Sequence, residues 1–263
     1  ALAMAVFEDG SRFVFPCYDR YWGKRLLRGQ PYEPEVYALL HRLRSLPYRF
    51  LDCGANFGFW SALVSGPALG HHPALAVEAD PANLAILAHT AAANGGRFAI
   101  RACAVVGRPR PWVRFSTRGG HYGRHVLGSK PWAEEGEDEG IVVEACTLEQ
   151  LLAEFANDDR PLLIKLDVEG MEPEIFAATR FPTDRDFAVL FEDHGGTHGF
   201  AATRAALARG LKVFYLHPAG LVPVRDPETL ADPARPLEAG YELLALPAAS
   251  GGFAFALGRL ETP

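Results

Sequence analysis

The 263-residue chain predicts an α/β fold, a doubly wound and mostly parallel sheet with helices on both faces. Three observations predict it. From residue 48 onward apolar runs alternate with helical segments, and that alternation builds parallel sheets. The first run breaks into a glycine-rich turn, Asp52-Cys53-Gly54-Ala55-Asn56-Phe57-Gly58, and the second ends on a carboxylate, Val77-Glu78-Ala79-Asp80-Pro81. A later run, Leu163-Ile164-Lys165-Leu166-Asp167-Val168-Glu169-Gly170, carries charge toward its C-terminal end, where open α/β sheets bind ligands.

Each element follows from its own pattern. Residues 4–16 alternate around Asp9-Gly10, a hairpin signal. Residues 17–31 read as a loop, and 34–46 as a helix with Val36, Leu39, Leu40 and Leu43 on one face. Residues 1–47 thus form an N-terminal hairpin/helix cap on a main domain over 48–263. Strands are predicted at 50–53, 74–79 and 98–104, with helices at 59–65 and 81–93; Pro81 suits a first helical turn and Asn94-Gly95-Gly96 a stop. Strand-like runs at 111–116 and 141–146 flank an irregular insert, 117–140, long enough to be a lid. Thr147 caps a helix with Gln150 completing a capping box. Strands at 162–168 and 187–192, a helix near 203–209 and strands at 212–216 and 252–257 complete the pattern, with 218–240 a proline-rich surface loop.

Composition narrows the function. At 49% hydrophobic and 22% charged residues the chain has ample core, and it contains no 18-residue apolar run that could span a membrane. A net charge of −6 argues against nucleic acid as the main partner. Cys17, Cys53, Cys103 and Cys146 are far apart, with no C-x-x-C pair for zinc or redox work. Together with a start lacking a basic leader, this predicts a cytoplasmic protein. A monomer and a homodimer are equally compatible with it.

The two motifs specify a ligand type. A carboxylate 26 residues beyond Asp52, Glu78, stands where an acid reaches ribose hydroxyls in βαβ units. The turn lacks the third glycine of G-x-G-x-x-G, and Asp52 would repel a pyrophosphate. It suits a cofactor with a cationic amino-acid portion instead. Lys165, Asp167 and Glu169, two residues apart, are expected on one face of their strand, and Phe191-Glu192-Asp193-His194 ends the next strand in the same way.

These motifs, with Thr147-Leu148 and the continuation Gly170-Met171-Glu172, resemble the FkbM-type methyltransferases in consistent order over about residues 30–216. The family comprises class I S-adenosylmethionine (SAM) enzymes that mostly methylate hydroxyl groups. The resemblance implies a Rossmann-like, seven-stranded core and SAM as cofactor, with S-adenosylhomocysteine (SAH) as product. One departure is Glu78-Ala79-Asp80-Pro81 where the family favours Glu-Pro.

The resemblance implies that Asp52, Gly54, Asn56 and Gly58 hold the methionine end, that Glu78 accepts from both ribose hydroxyls, and that adenine lies against Cys103-Ala104. Asp167 borders the cofactor and is the first choice for catalysis, with Glu169, Glu192 and His194 competing for the base role. Asp167, Glu192 and Asp193 carry oxygen donors suited to Mg²⁺, but adjacent strand residues point to opposite faces, so no metal site is assigned. His121, Tyr122 and His125 in the lid are candidate acceptor contacts, and Tyr32 and Glu33 could close over SAM. The acceptor expected is a hydroxylated small molecule, a sugar or natural-product scaffold. The alternatives are N-methylation of an amine or peptide, an NAD-dependent oxidoreductase, and a non-catalytic binding module.

Overall fold

A computed structural model describes residues 1–116, 118, 121, 124–128, 140–194, 199–230 and 240–258. Its centre is an eight-stranded sheet. β1 (Leu2–Val6) and β2 (Arg12–Pro16) form a separate hairpin; the sheet proper starts with β3 (Arg49–Cys53), β4 (Ala74–Glu78) and β5 (Phe98–Ala102). After β6 (Ala104–Val106), β7 (Trp112–Phe115) and β8 (Ile141–Thr147), which build a small sheet in the order β6-β8-β7, come β9 (Leu162–Leu166) and β10 (Phe187–Asp193). β11 (Lys212–His217), β12 (Gly220–Val224) and β13 (Tyr241–Leu246) complete the main sheet, whose order is β12-β11-β13-β10-β9-β3-β4-β5. Strands β5, β4, β3, β9 and β10 are parallel, and β13 runs antiparallel to both β10 and β11. The order reverses beside β3, between β9 and β4, so the C-terminal ends of these strands flank a crevice.

The parallel strands are apolar on both faces because both are covered. Phe50, Ala76, Leu163 and Leu190 face one core, packed by α2 (Pro34–Leu43), α3 (Phe59–Val64), α4 (Pro81–Ala93) and the short α8 (Gly252–Ala256). Leu51, Val77, Ile164 and Val189 face the other, with α5 (Leu148–Phe155), α6 (Glu172–Ala178) and α7 (Ala201–Ala208). The capping box on α5 forms as expected: Thr147 N–H donates to Gln150 Oε1 at 2.8 Å, and Gln150 N–H returns to Thr147 Oγ1 at 3.3 Å.

Three elements differ from the sequence expectation. Residues 17–31 contain a helix, α1 (Arg20–Leu27), started by Asp19, whose side chain accepts from Trp22 N–H at 2.9 Å. The proline-rich 218–240 segment contributes strand β12, on an edge where Pro223 has no ladder bond to forfeit. The last sheet strand is β13, where no strand was expected, while Gly252–Ala256, expected as a strand, is helical. Seven of the eight strands form the expected core, and β12 adds an edge.

The hairpin is fastened to the sheet layer through α4. Asn94 accepts from Arg12 N–H at 3.0 Å and donates to its carbonyl at 2.6 Å, while Thr90 Oγ1 accepts from Val14 N–H at 3.2 Å. These side chains occupy hydrogen-bonding positions that an exposed strand edge would leave open.

Candidate active site

The glycine turn after β3 is fixed by its neighbours. Gly54 and Ala55 N–H both donate to Val77 O at 2.9 Å. Asp167 N–H donates to Cys53 O at 3.0 Å, and a Cβ on Gly54, which has φ +84°, would overlap the Asp167 carbonyl. Only glycine fits there. Asn56 is also left-handed, at φ 51°; its side-chain oxygen accepts from Phe57 N–H at 2.8 Å, the local bond that lets Asn tolerate this conformation. Gly58 starts α3, and its own missing Cβ makes room for Leu87 of α4.

Glu78, 7% exposed, organises this turn from the next strand. One carboxylate oxygen accepts from Ala79 and Asp80 N–H, and the other from Asn56 N–H, all at 2.8 Å. A carboxylate has about four acceptor positions. Three are used, leaving one on the oxygen that faces Asn56. Burial pushes the Glu78 carboxyl up to about 7, against the three N–H bonds that favour its charge.

These residues line a cavity of about 310 Å³ at the crevice. Cys103, Ala104 and Val105 supply an apolar, largely backbone wall, with Phe115 from β7. The described part of the 117–140 insert closes on the turn: His121 O accepts from Asn56 Nδ2 at 2.7 Å and Asn83 Nδ2 at 3.1 Å, and Arg124 pairs with Asp80 at 2.6 Å. His125 is buried but is not part of the wall; Tyr122 and the acidic run 134–139 lie outside the described residues.

Across the cavity, Lys165 is 4% exposed and reaches Asp167 at 2.8 Å. It stands opposite Asp52 in the β3–β9 register, and Asp52, 1% exposed, accepts from Ser61 Oγ at 2.7 Å. Burial pushes Asp52 up to about 6. Burial pulls the lysine down, yet Asp167, Glu33, Glu242 and Asp52 together hold it well above its ordinary value, so it stays a cation. Glu33, at the left-handed N-cap of α2, accepts from Trp60 Nε1 at 2.8 Å and is raised by burial.

The β9 motif does not continue as a strand. β9 stops at Leu166, and Glu169 and Gly170 both have positive φ, so Lys165, Asp167 and Glu169 do not form the single-face stripe expected of an extended chain. Glu172 holds this loop, accepting from Val168 N–H at 2.7 Å and Gly170 N–H at 2.8 Å. At the end of β10 the residues diverge as alternation requires. Glu192 lines the cavity, whereas Asp193 is buried behind it and accepts from both the N–H and the hydroxyl of Thr203 at 2.8 Å. Among the described residues no group of three or more His, Cys, Asp and Glu is placed to hold a metal ion.

Of the residues singled out in the sequence, Asp52, Gly54, Asn56, Glu78, Ala104, Asp167, Glu169 and Glu192 meet at this cavity, as do Tyr32, Glu33 and His121. Gly58 is not part of the wall and faces Leu87 instead, and His194 stands outside it, 3.7 Å from Glu192. Sequence reasoning missed Tyr21, Trp22 and Trp60 on the wall, and Glu242, which lies opposite Glu192 on β13. The aromatic richness of 17–31 was the available signal.

Residues 52–213, more than half of the chain, match the family described as Methyltransferase FkbM domain. The chain belongs to this family. It is a SAM-dependent methyltransferase. Solved structures of similar fold include precorrin-6y C5,15-methyltransferase from Geobacter metallireducens, 13% identical with a TM-score of 0.44, covering 81% of this chain and 86% of that one. A SAM-dependent O-methyltransferase from Thermotoga maritima is 12% identical with a TM-score of 0.41, covering 93% and 77%. Methyltransferase FkbM from Methylobacillus flagellatus is 11% identical with a TM-score of 0.38, covering 76% and 43%. No curated protein matches the chain. The cavity suits the family's cofactor in its chemistry: it offers a carboxylate with a free acceptor position at Glu78, an apolar wall at Ala104, and acids able to face a positive charge.

Proposed function

We propose that this FkbM-family enzyme transfers the methyl group of SAM to a hydroxyl of a small molecule, a sugar or natural-product scaffold. The observation that carries the reading is the group of carboxylates on the cavity wall beside the glycine turn, above all Asp167 held by Lys165. A hydroxyl is a weak nucleophile until its proton is taken or shared, whereas a neutral amine needs less help. Carboxyls whose proton affinity is raised toward neutrality are suited to that work, and burial raises Glu192 to about 8.

Gly54, Asn56 and Asp52 would border the methionine portion, Glu78 one ribose hydroxyl, and Ala104 the adenine. When bound, SAM supplies a methyl group on a sulfonium. The chain's own part is to hold the acceptor oxygen, exclude water and receive the hydroxyl proton. Asp167 orients the acceptor or takes its proton, and Lys165 fixes the direction of its carboxylate. Glu169 and Glu192 on the wall, with His194 behind Glu192, are the further groups able to carry that proton away.

Calorimetric titration with SAM and separately with NAD, followed by methyl-transfer assays on hydroxylated sugars and polyketides, tests the proposal. The expected outcome is that SAM binds and NAD does not. Products carrying the methyl on nitrogen would replace the hydroxyl reading with the amine one. Asp167→Asn is expected to keep SAM affinity while losing turnover, and full activity in that variant removes Asp167 from the mechanism.

A further inference from the structure

The charged side chains on the cavity wall are unequal in sign. Glu33, Asp52, Glu78, Asp167, Glu169 and Glu192 are there, against Lys165 and Arg124, and Arg124 is bonded to Asp80 off the wall. Glu242 adds to the excess from behind, in register with Glu192. SAM contributes one net positive charge, and burial pushes Glu33, Asp52, Glu78 and Glu192 toward their protonated forms, so a second cation would take the place of protons there. Buried negative charge of this size is costly unless a cation or protons compensate it.

A second, independent feature stands beside it. Trp22 is 3% exposed, its ring forms part of the wall, and its indole N–H finds no partner among the described residues. A buried unpaired donor lacks an oxygen acceptor. The ring is set rigidly, 5.0 Å from Phe59 and 4.7 Å from Tyr32 between centroids. Tyr32 in turn stacks on Trp60, whose N–H holds Glu33. Aromatic faces next to carboxylates are the chemistry that receives organic ammonium groups.

Resting on the methyltransferase reading above, we infer that the acceptor is a hydroxylated organic cation: its ammonium group sits against Glu33 and Glu192 among the aromatic rings, and an oxygen takes the Trp22 N–H. An amino sugar or amino alcohol has this chemistry, and a neutral polyol lacks half of it. The cap helix α1 and the N-cap of α2 would then select the acceptor, while the glycine turn and Glu78 serve the cofactor.

The test uses the full chain saturated with SAH, labelled with ¹⁵N, and observes the tryptophan indole N–H signals, with Trp22 and Trp60 assigned through their Phe variants. The probes are ethanolamine hydrochloride, ethylene glycol and sodium chloride at equal ionic strength. Ethanolamine is expected to shift the Trp22 and Trp60 signals saturably while the two controls do not. Glu33→Gln and Glu192→Gln should each weaken this response about tenfold, as the loss of a charged partner does. Equal shifts with ethylene glycol or sodium chloride, no shift with ethanolamine, or an ethanolamine response unaltered in both variants would overturn the inference. SAH binding is measured calorimetrically in the same samples, so failure of the cofactor reading shows separately as absence of that heat.

Discussion

Asp167 and Gly54 meet backbone to backbone: the Asp167 N–H is bonded to Cys53 O at 3.0 Å, and its carbonyl fills the space a side chain on residue 54 would need. The residue argued to meet the acceptor and the turn argued to meet the cofactor are therefore held by one contact between adjacent strand ends. Displacing either moves the other.

Gly54→Ala consequently carries two costs, a left-handed φ of +84° and a collision with main chain. Gly95→Ala carries only the first, since its φ is +66° and nothing lies within 4 Å of its Cβ position. The expected outcome is a loss of about 1 kcal/mol in unfolding free energy for Gly95→Ala, and at least twice that with collapse of SAM affinity for Gly54→Ala. Urea unfolding and calorimetric titration measure both. Equal losses would mean that the collision is relieved cheaply.

Glu78 has a single acceptor position to spare, so a grip on both ribose hydroxyls requires one N–H bond to give way. Glu78→Ala should weaken SAM binding by about 1–3 kcal/mol, both by removing that acceptor and by freeing Asn56 N–H. Unchanged affinity sinks the ribose assignment.

Stability should fall as pH rises. Burial sets Asp52 at about 6, Glu78 at about 7 and Glu192 at about 8. All three lie above unfolded carboxyl values near 4. The folded state thus binds more protons than the unfolded state from about pH 4 to about 8, and loses stability through that window. Melting temperatures of the ligand-free protein at about pH 5.5 and about pH 8.5 should decrease in that order, with a smaller decrease in Glu192→Gln. Identical slopes in the two proteins would remove Glu192 from the account.

Asn94 ties the N-terminal hairpin to α4 through both polar groups of Arg12. Asn94→Ala strips these bonds and should cost about 1–3 kcal/mol of stability. Limited proteolysis should cut first between β1 and α1; a variant as resistant as the parent would show that Phe13 and Val14 packing alone seats the hairpin.

How much of this was legible beforehand depended on the range of the interaction. The β3 turn, the acid ending β4 and the box at Thr147 involve partners within a few residues or one βαβ unit, and their motifs announced them. Helix α1 was obscured because Tyr, Trp and Gly in residues 17–31 weaken helical periodicity, whereas its Asp19 cap and its contacts with Phe13 and Phe59 stabilise it. Strand β12 was obscured by Pro223, which only an edge position tolerates.

Sequence by itself determined the parallel strands at the centre of the sheet, the glycine turn and the family, because hydrophobic period and glycine placement are local properties of the chain. Only the tertiary structure decided that Glu33, Trp22 and Glu242 join Asp167 and Glu192 around Lys165. These residues lie on five separate segments, and side-chain charge acts through space, so no spacing along the chain records their meeting.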